Sequence, residues 1–290
     1  MKGLLPKRDR TALREVAAFS VVELLVVIVL IAIMAALLLP ALDKAKEQSK
    51  AAACLNNEKQ LAAALHMYAE DNADRIVQMA DYDTGDDIYP AGGFWGGPVP
   101  GVSEWSNQAA AFAAVVTGLQ TTNALYSYCE NISAYHCPAD PRLQRIPAPN
   151  KPNGWAFDSY SRTQNTGGEP YDDFWGAGAT YMKMTEILRP SETFAMMESA
   201  DWRGYNVGTW VVQWKERTFE WVDPPSFWHL NVSSSGFADG HGELHKWADP
   251  AILAAGHAAA LGLNASDWTG PTNGPDYQFV DSHYLFPGHP

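Results

Sequence analysis

Several groups of side chains in this sequence have types and spacings that could do chemistry. Asp81, Asp83, Asp86 and Asp87 crowd around Gly85. Oxygen donors at alternating positions over a tight turn suit Ca2+, although the twelve-residue EF-hand pattern is absent. The other reading of this stretch is a solvated acidic loop. His136 and Cys137 stand side by side in Tyr135-His-Cys-Pro-Ala-Asp140. They could belong to a metal or a nucleophile, but one His and one Cys do not complete a local zinc site. A catalytic thiol also needs a base that the sequence does not place. Nine residues separate His229 from the pair Asp239–Gly240. The segment Phe237-Ala-Asp-Gly-His-Gly-Glu-Leu244 reads as strand, tight Asp-Gly turn, strand. The turn explains Asp239 and Gly240 without further chemistry, and such a hairpin could bring His229 near His241. Asp239 is also a candidate cation ligand. Of the three cysteines, Cys129 and Cys137 are close in sequence and are the first choice for a disulfide. Cys54 then remains as a packing residue in a helix seam.

The elements that must position these groups begin with an anchor. Before Phe19 the chain carries Lys2, Lys7, Arg8, Arg10 and Arg14 against only Asp9 and Glu15. The leader therefore carries +3, and the residues beyond it carry −16 within the chain's formal −13. A basic flank ahead of an apolar run predicts that the flank stays cytoplasmic. Leu24 to Leu42 is 19 residues without a charge, enough to span a hydrocarbon core of about 30 Å. A cleaved secretory signal is the rival reading, but its apolar core is usually shorter and ends in a small-residue site. Here the run passes into a stretch of helix formers, with Cys54, Leu61, Leu65 and Tyr68 on one stripe. No Gly interrupts the 54 residues from Phe19 to Asn72. A single helix over them is about 81 Å long, its first half in lipid. Pro40 removes one intrahelical bond and is expected to kink or loosen the helix. Glu23, near the start of the apolar run, is costly there unless paired or held at the interface.

Beyond about Asp71 turn residues crowd in. Pro90 to Gly101 reads as a long loop, Trp105 to Tyr128 as helical in part, and Ala177 to Trp247 as strand-rich. Trp202, Trp210, Trp214, Trp221, Trp228 and Trp247 fall in that last region. Buried, they are core or subunit packing, the favoured reading; exposed, they are a sugar or partner surface. Pro250 to Leu263 reads as a short helix and Pro271 to Pro290 as an irregular tail. A chain that is 47% hydrophobic and 18% charged is not generally disordered. Its acidic charge argues against binding nucleic acid.

Ala18 to Ile33, AFSVVELLVVIVLIAI, resembles the leader and anchor of type IV prepilins and type II secretion pseudopilins. The resemblance implies cleavage between Ala18 and Phe19 by a prepilin peptidase, and methylation of the new N-terminus. It implies that Glu23 pairs with the N-terminal amine of a neighbouring subunit, and that the helix loosens at Pro40 during assembly. Ala18 stands where Gly is usual, which implies slower cleavage. Further segments resemble the prepilin-type, processing-associated H-X9-DG domain family. They are Leu39 to Lys46, Cys54 to Asn57, Leu65 to Asn72, His136 to Asp140, Arg189 to Thr193, and the motif residues His229, Asp239 and Gly240.

These readings together give an α+β, type IV pilin-like fold: a long N-terminal helix, transmembrane in its first half, packed on an antiparallel sheet domain with long loops. The expected segments are a leader over 1–18, a membrane half-helix over 19–42 and an exported half-helix over 43–72. A globular domain over 73–249 and a C-terminal short helix and irregular tail over 250–290 follow. The leading function is a structural subunit of a pseudopilus or pilus-like filament. Its implied partners are a prepilin peptidase, itself and other pilin-like subunits, an assembly platform protein with its ATPase, and the lipid bilayer. The expected location is the bacterial inner membrane, single-pass, with the C-terminal domain periplasmic or extracellular. Alternatives are a membrane-tethered binding module, with polysaccharide as its candidate ligand, and a periplasmic hydrolase. The sequence gives no recognisable spacing for the latter, so no enzymatic activity is expected. No cofactor is expected beyond Ca2+.

Overall fold

The computed structural model describes residues 20–77, 108–144, 158–167, 180–200, 209–215, 218–263 and 268–289. Ala18, Phe19, the acidic group Asp81, Asp83, Asp86 and Asp87, Trp202 and the Pro90–Gly101 segment lie outside these residues.

A stretch free of Gly and rich in Ala and Leu forms one continuous helix, α1, over Val21–Asp71. Its 51 residues correspond to about 77 Å. Ser20 and Glu23 close its N-terminus reciprocally. The Ser20 N–H donates to Glu23 Oε2 at 2.8 Å, and the Glu23 N–H donates to Ser20 Oγ at 3.2 Å. This is a capping box, which satisfies donors the first turn leaves unpaired. The helix continues unbroken through Pro40. It ends where Ala73 and Asp74 take left-handed backbone angles (φ 56° and 67°). There the Asp74 N–H caps the Ala69 carbonyl at 2.8 Å.

The chain divides between Lys46 and Glu47 into two compact units. In the first, the apolar side chains of Val21 to Leu42 are exposed. Among the described residues α1 is the one helix long and apolar enough to cross a membrane.

The second unit contains the rest of α1, which buries Ala51, Cys54, Glu58, Leu61, Ala62, Leu65 and Ala69. These lie on one stripe at helical spacing. A five-stranded sheet runs in the order β3-β1-β2-β6-β7. Its strands are β1 (Tyr160–Thr163), β2 (Phe194–Glu198), β3 (Thr209–Trp210), β6 (Val232–Phe237) and β7 (Gly242–Lys246). All pairs are antiparallel except the short β1–β3 pair, so the sheet is mixed. A separate hairpin joins β4 (Val212–Lys215) to β5 (Thr218–Trp221). Gly236 and Gly242 are register partners on β6 and β7. A Cβ on Gly242 would meet Leu55 at 2.7 Å, and one on Gly236 would lie 3.5 Å from Glu58. Both glycines leave room for α1 to approach the sheet closely.

One core joins the α1 stripe to Leu119 of the helix α2 (Gln108–Thr122), to Tyr135 and Cys137, and to Met196. The other contains Phe194, Met197, Trp210, Trp221, Phe237 and Trp247. Trp210, Trp221 and Trp247 are buried, and Trp214 and Trp228 pack partly buried against the cores. The described tryptophans thus fill cores, as the packing reading expects. The C-terminal tail is not irregular throughout, contrary to the expectation from its polar, Pro-rich sequence. After α3 (Pro250–Ala260), Pro275–His283 forms a further helix, α4, with Pro275 in its first turn and Val280 buried in the aromatic core.

Candidate functional site

Four side chains from distant parts of the second unit converge beneath α1. Cys54 comes from the buried stripe of α1. Glu198 ends β2, the strand flanked by β1 and β6, and is the register partner of Tyr160. Its Oε2 accepts the Ser234 N–H of β6 at 3.1 Å. His229 precedes β6, where the chain reverses through Leu230 and Asn231 in left-handed conformations (φ 53° and 63°).

Cys137 follows a 3-10 turn over Ile132–Tyr135 and is fixed by a polar network. The Cys137 N–H donates to Ser159 Oγ at 2.9 Å, and Ser159 Oγ donates to Asp140 Oδ2 at 2.8 Å. Asp140 in turn accepts from Arg142 Nη2 at 2.7 Å. From α1, Asn57 Nδ2 donates to the Ser133 and His136 carbonyls at 3.2 and 3.0 Å. The helix therefore clamps the loop that carries Cys137.

The functional atoms meet closely. Cys54 Sγ and Cys137 Sγ lie 2.7 Å apart, and His229 Nε2 is 3.1 Å from each sulfur. Glu198 Oε1 is 3.4 Å from His229 Nε2. One donor atom from each residue lies within 4.8 Å of all the others. Cys54, Cys137 and Glu198 are fully buried and His229 is 2% exposed. The hydrogen bond with Cys137 lowers the Cys54 thiol below its usual range despite burial. Burial, with the proton shared with Cys54, pushes Cys137 far up. Burial opposes charge on His229, but its bonds to Cys54 and Glu198 win and hold it up at about 9. Beside them the Glu58 carboxyl, one helical turn from Cys54, is pushed well up by burial and by the nearby Glu198 and Cys54.

Two thiols, an imidazole and a carboxylate in one buried spot are a donor set for a divalent cation. A thiolate beside an imidazolium is also the form in which cysteine acts as a nucleophile. This cluster overturns the expectation that the chain carries no enzymatic chemistry. No family model, curated protein or solved structure matches the chain.

The residues singled out in the sequence are distributed differently. Cys137 neighbours Cys54, and the expected bond to Cys129 is absent: all three cysteines are free thiols, with Cys129 buried elsewhere in the same core. The physical reason is that the α1 stripe brings Cys54 onto the loop of Cys137. His136 is not one of the converging donors; its Nδ1 lies 3.3 Å from Ser159 Oγ. The two ends of the H-X9-DG motif serve different places, because the nine intervening residues are essentially the reversal and strand β6. His229 enters the cluster, whereas Asp239 and Gly240 form the β6–β7 turn, where Gly240 has φ 93°. Asp239 Oδ1 accepts the His241 N–H at 3.0 Å and pairs with His241 Nδ1 at 2.5 Å. His241 stacks on Phe237 rather than meeting His229. A separate cleft of about 480 Å³, lined in part by Tyr181, Arg189, Phe286 and His289, contains none of the expected site residues.

Glu198, Cys54 as a ligand and Asn57 were not singled out by sequence. The available signals were a carboxylate ending the apolar run Phe-Ala-Met-Met-Glu198 and a second, Glu58, on the apolar stripe of α1.

Proposed function

We propose that this chain is a membrane-anchored, pilin-like subunit, released from its leader by a prepilin peptidase between Ala18 and Phe19. The observation that supports this reading is the division of α1. Its first part exposes an apolar surface suited to lipid or to other such helices. Its last part, from Ala51 to Ala69, builds the core of a folded domain. A helix that is membrane-soluble at one end and structural at the other suits a subunit assembling through its anchor. In that assembly Glu23 pairs with the N-terminal amine of the next subunit, exchanging its local Ser20 cap for an intermolecular contact. Pro40 supplies the place where the helix yields. The filament is a type II secretion pseudopilus or a type IV pilus-like fibre. Its helices pack in the bilayer before an ATPase-driven platform extracts them.

Intact mass and N-terminal sequencing of protein extracted from its native membrane test this reading. N-methylated Phe19 as the first residue is the expected result. A chain that starts at Met1 in cells with an active prepilin peptidase, or one cut beyond Pro40, overturns it.

A further inference from the structure

We propose that Cys54, Cys137, His229 and Glu198 form a zinc site that fastens α1 to the sheet. Such a site does not depend on filament assembly.

All four donor atoms lie within 4.8 Å of one another, and four of their six separations can be compared with a tetrahedron. Zinc–nitrogen and zinc–oxygen bonds of about 2.0–2.1 Å place a nitrogen and an oxygen about 3.3–3.4 Å apart across a tetrahedral centre. His229 Nε2 and Glu198 Oε1 are 3.4 Å apart. The sulfur edges, 2.7 and 3.1 Å, are shorter than the tetrahedral values of about 3.8 and 3.5 Å, so an ion would widen them by less than about 1.1 Å.

The unused atoms separate this reading from a simple disulfide. A bond between Cys54 and Cys137 would use the two sulfurs but not the convergence of the His229 and Glu198 pair on them. Glu198 is fully buried, and its Oε1 makes no geometric hydrogen bond but lies 3.4 Å from His229 Nε2, aimed at the cluster. Its other oxygen is held by the Ser234 N–H, which orients the free oxygen at the cluster. Cys137 Sγ also accepts the Ala139 N–H at 3.4 Å, a contact that supports a thiolate ligand. Two thiolates are too soft for Ca2+ or Mg2+, and one imidazole with one carboxylate departs from the four thiolates of an iron–sulfur cluster. Tetrahedral geometry with sulfur and nitrogen donors suits Zn2+. Zinc takes both sulfurs as thiolates and His229 as a neutral ring, so its entry releases to solvent whatever protons these groups carry.

The test uses the full-length chain in detergent, purified without a metal-binding tag, reduced and stripped of metal, then titrated with Co2+ and with Zn2+. Saturation at one Co2+ per chain is expected, with a sulfur-to-cobalt charge-transfer band that Zn2+ abolishes. Cys129→Ser, a buried thiol outside the cluster, keeps the band. Cys137→Ser weakens binding by more than about 100-fold, beyond what loss of a supporting group costs. The proposal is overturned if wild-type chain shows no saturable uptake or no charge-transfer band. It is also overturned if uptake by Cys137→Ser matches that of Cys129→Ser. A separate mass measurement on alkylated, unreduced chain must find three free thiols after chelation; a Cys54–Cys137 bond there also sinks the site.

Discussion

Replacing Asp140 by Asn tests the network that places Cys137. The carboxylate is fully buried and Arg142 nearly so, and their closest atoms are 2.7 Å apart. Asp140 Oδ2 accepts from Arg142 Nη2 at 2.7 Å and from Ser159 Oγ at 2.8 Å. An Asn amide would keep one acceptor and turn the other into a donor facing donors, removing the Asp140 carboxylate from the buried guanidinium. Removing one partner of a buried pair costs about 3–5 kcal/mol. In a folded unit of this size each kcal/mol is worth about 2–4 °C, so the Tm should fall by about 6–20 °C. Thermal unfolding of the full chain in detergent, followed by circular dichroism, reads this directly. The pH dependence adds a sign. Burial raises the Asp140 carboxyl, but Arg142 outweighs it and the group ends below its ordinary value. The pair therefore contributes fully above the unfolded-state pKa of about 3.9 and is lost as pH falls through the folded value. The gap between wild type and Asp140→Asn should close on acidification below about pH 4. A Tm loss under about 2 °C, or a gap that widens in acid, would refute the reasoning.

Three other outcomes are expected. Glu23→Gln should leave the protein in the membrane fraction but abolish sheared filaments; filaments at wild-type yield would count against the intersubunit role. Gly240→Ala should cost about 1–2 kcal/mol in denaturant unfolding, because its φ of 93° is strained for a residue with a Cβ. Gly240→Asn should cost less, and equal losses would remove strain as the cause. Trp247→Ala, at a side chain 1% exposed whose Nε1 donates to Ser233 Oγ, should cost about 3–5 kcal/mol. A loss below about 1 kcal/mol in the same unfolding assay would mean the aromatic core repacks.

The parts of this molecule legible in its sequence are those governed by local spacing. The Gly-free run from Phe19 to Asn72 and the stripe through Cys54, Leu61 and Leu65 required a long helix with one buried face, and α1 has both. The pair Asp239–Gly240 required a turn between strands and forms one. Pro250 opens a helix as expected. The cluster was illegible because its members stand at 54, 137, 198 and 229. No local period links such positions, and only the packing of α1 over β2 and β6 brings them together. His136–Cys137 drew attention by adjacency, yet the useful neighbour of Cys137 was 83 residues upstream. Helix α4 was missed because Pro-Asp-Tyr-Gln-Phe-Val-Asp-Ser-His carries too few apolar residues for a clear stripe. Its stability comes from seating Val280 in the aromatic core, and from the Asp276 carboxylate, which accepts the Ala248 and Asp249 N–H groups at 2.8 and 2.7 Å.

The continuity of α1 has a mechanical consequence. A pull on its N-terminal end travels along a helix that is continuous apart from the one backbone hydrogen bond missing at Pro40, and reaches the second unit at Glu47. The first deeply seated residues it meets are Ala51 and Cys54, so the load falls at once on the contacts around the Cys137 loop and the ends of β2 and β6. Those contacts lie across the helix along a buried stripe that extends to Ala69. Under tension they would have to slide together rather than peel one by one. A thread fastened in this way holds against tugging far better than its equilibrium stability would suggest.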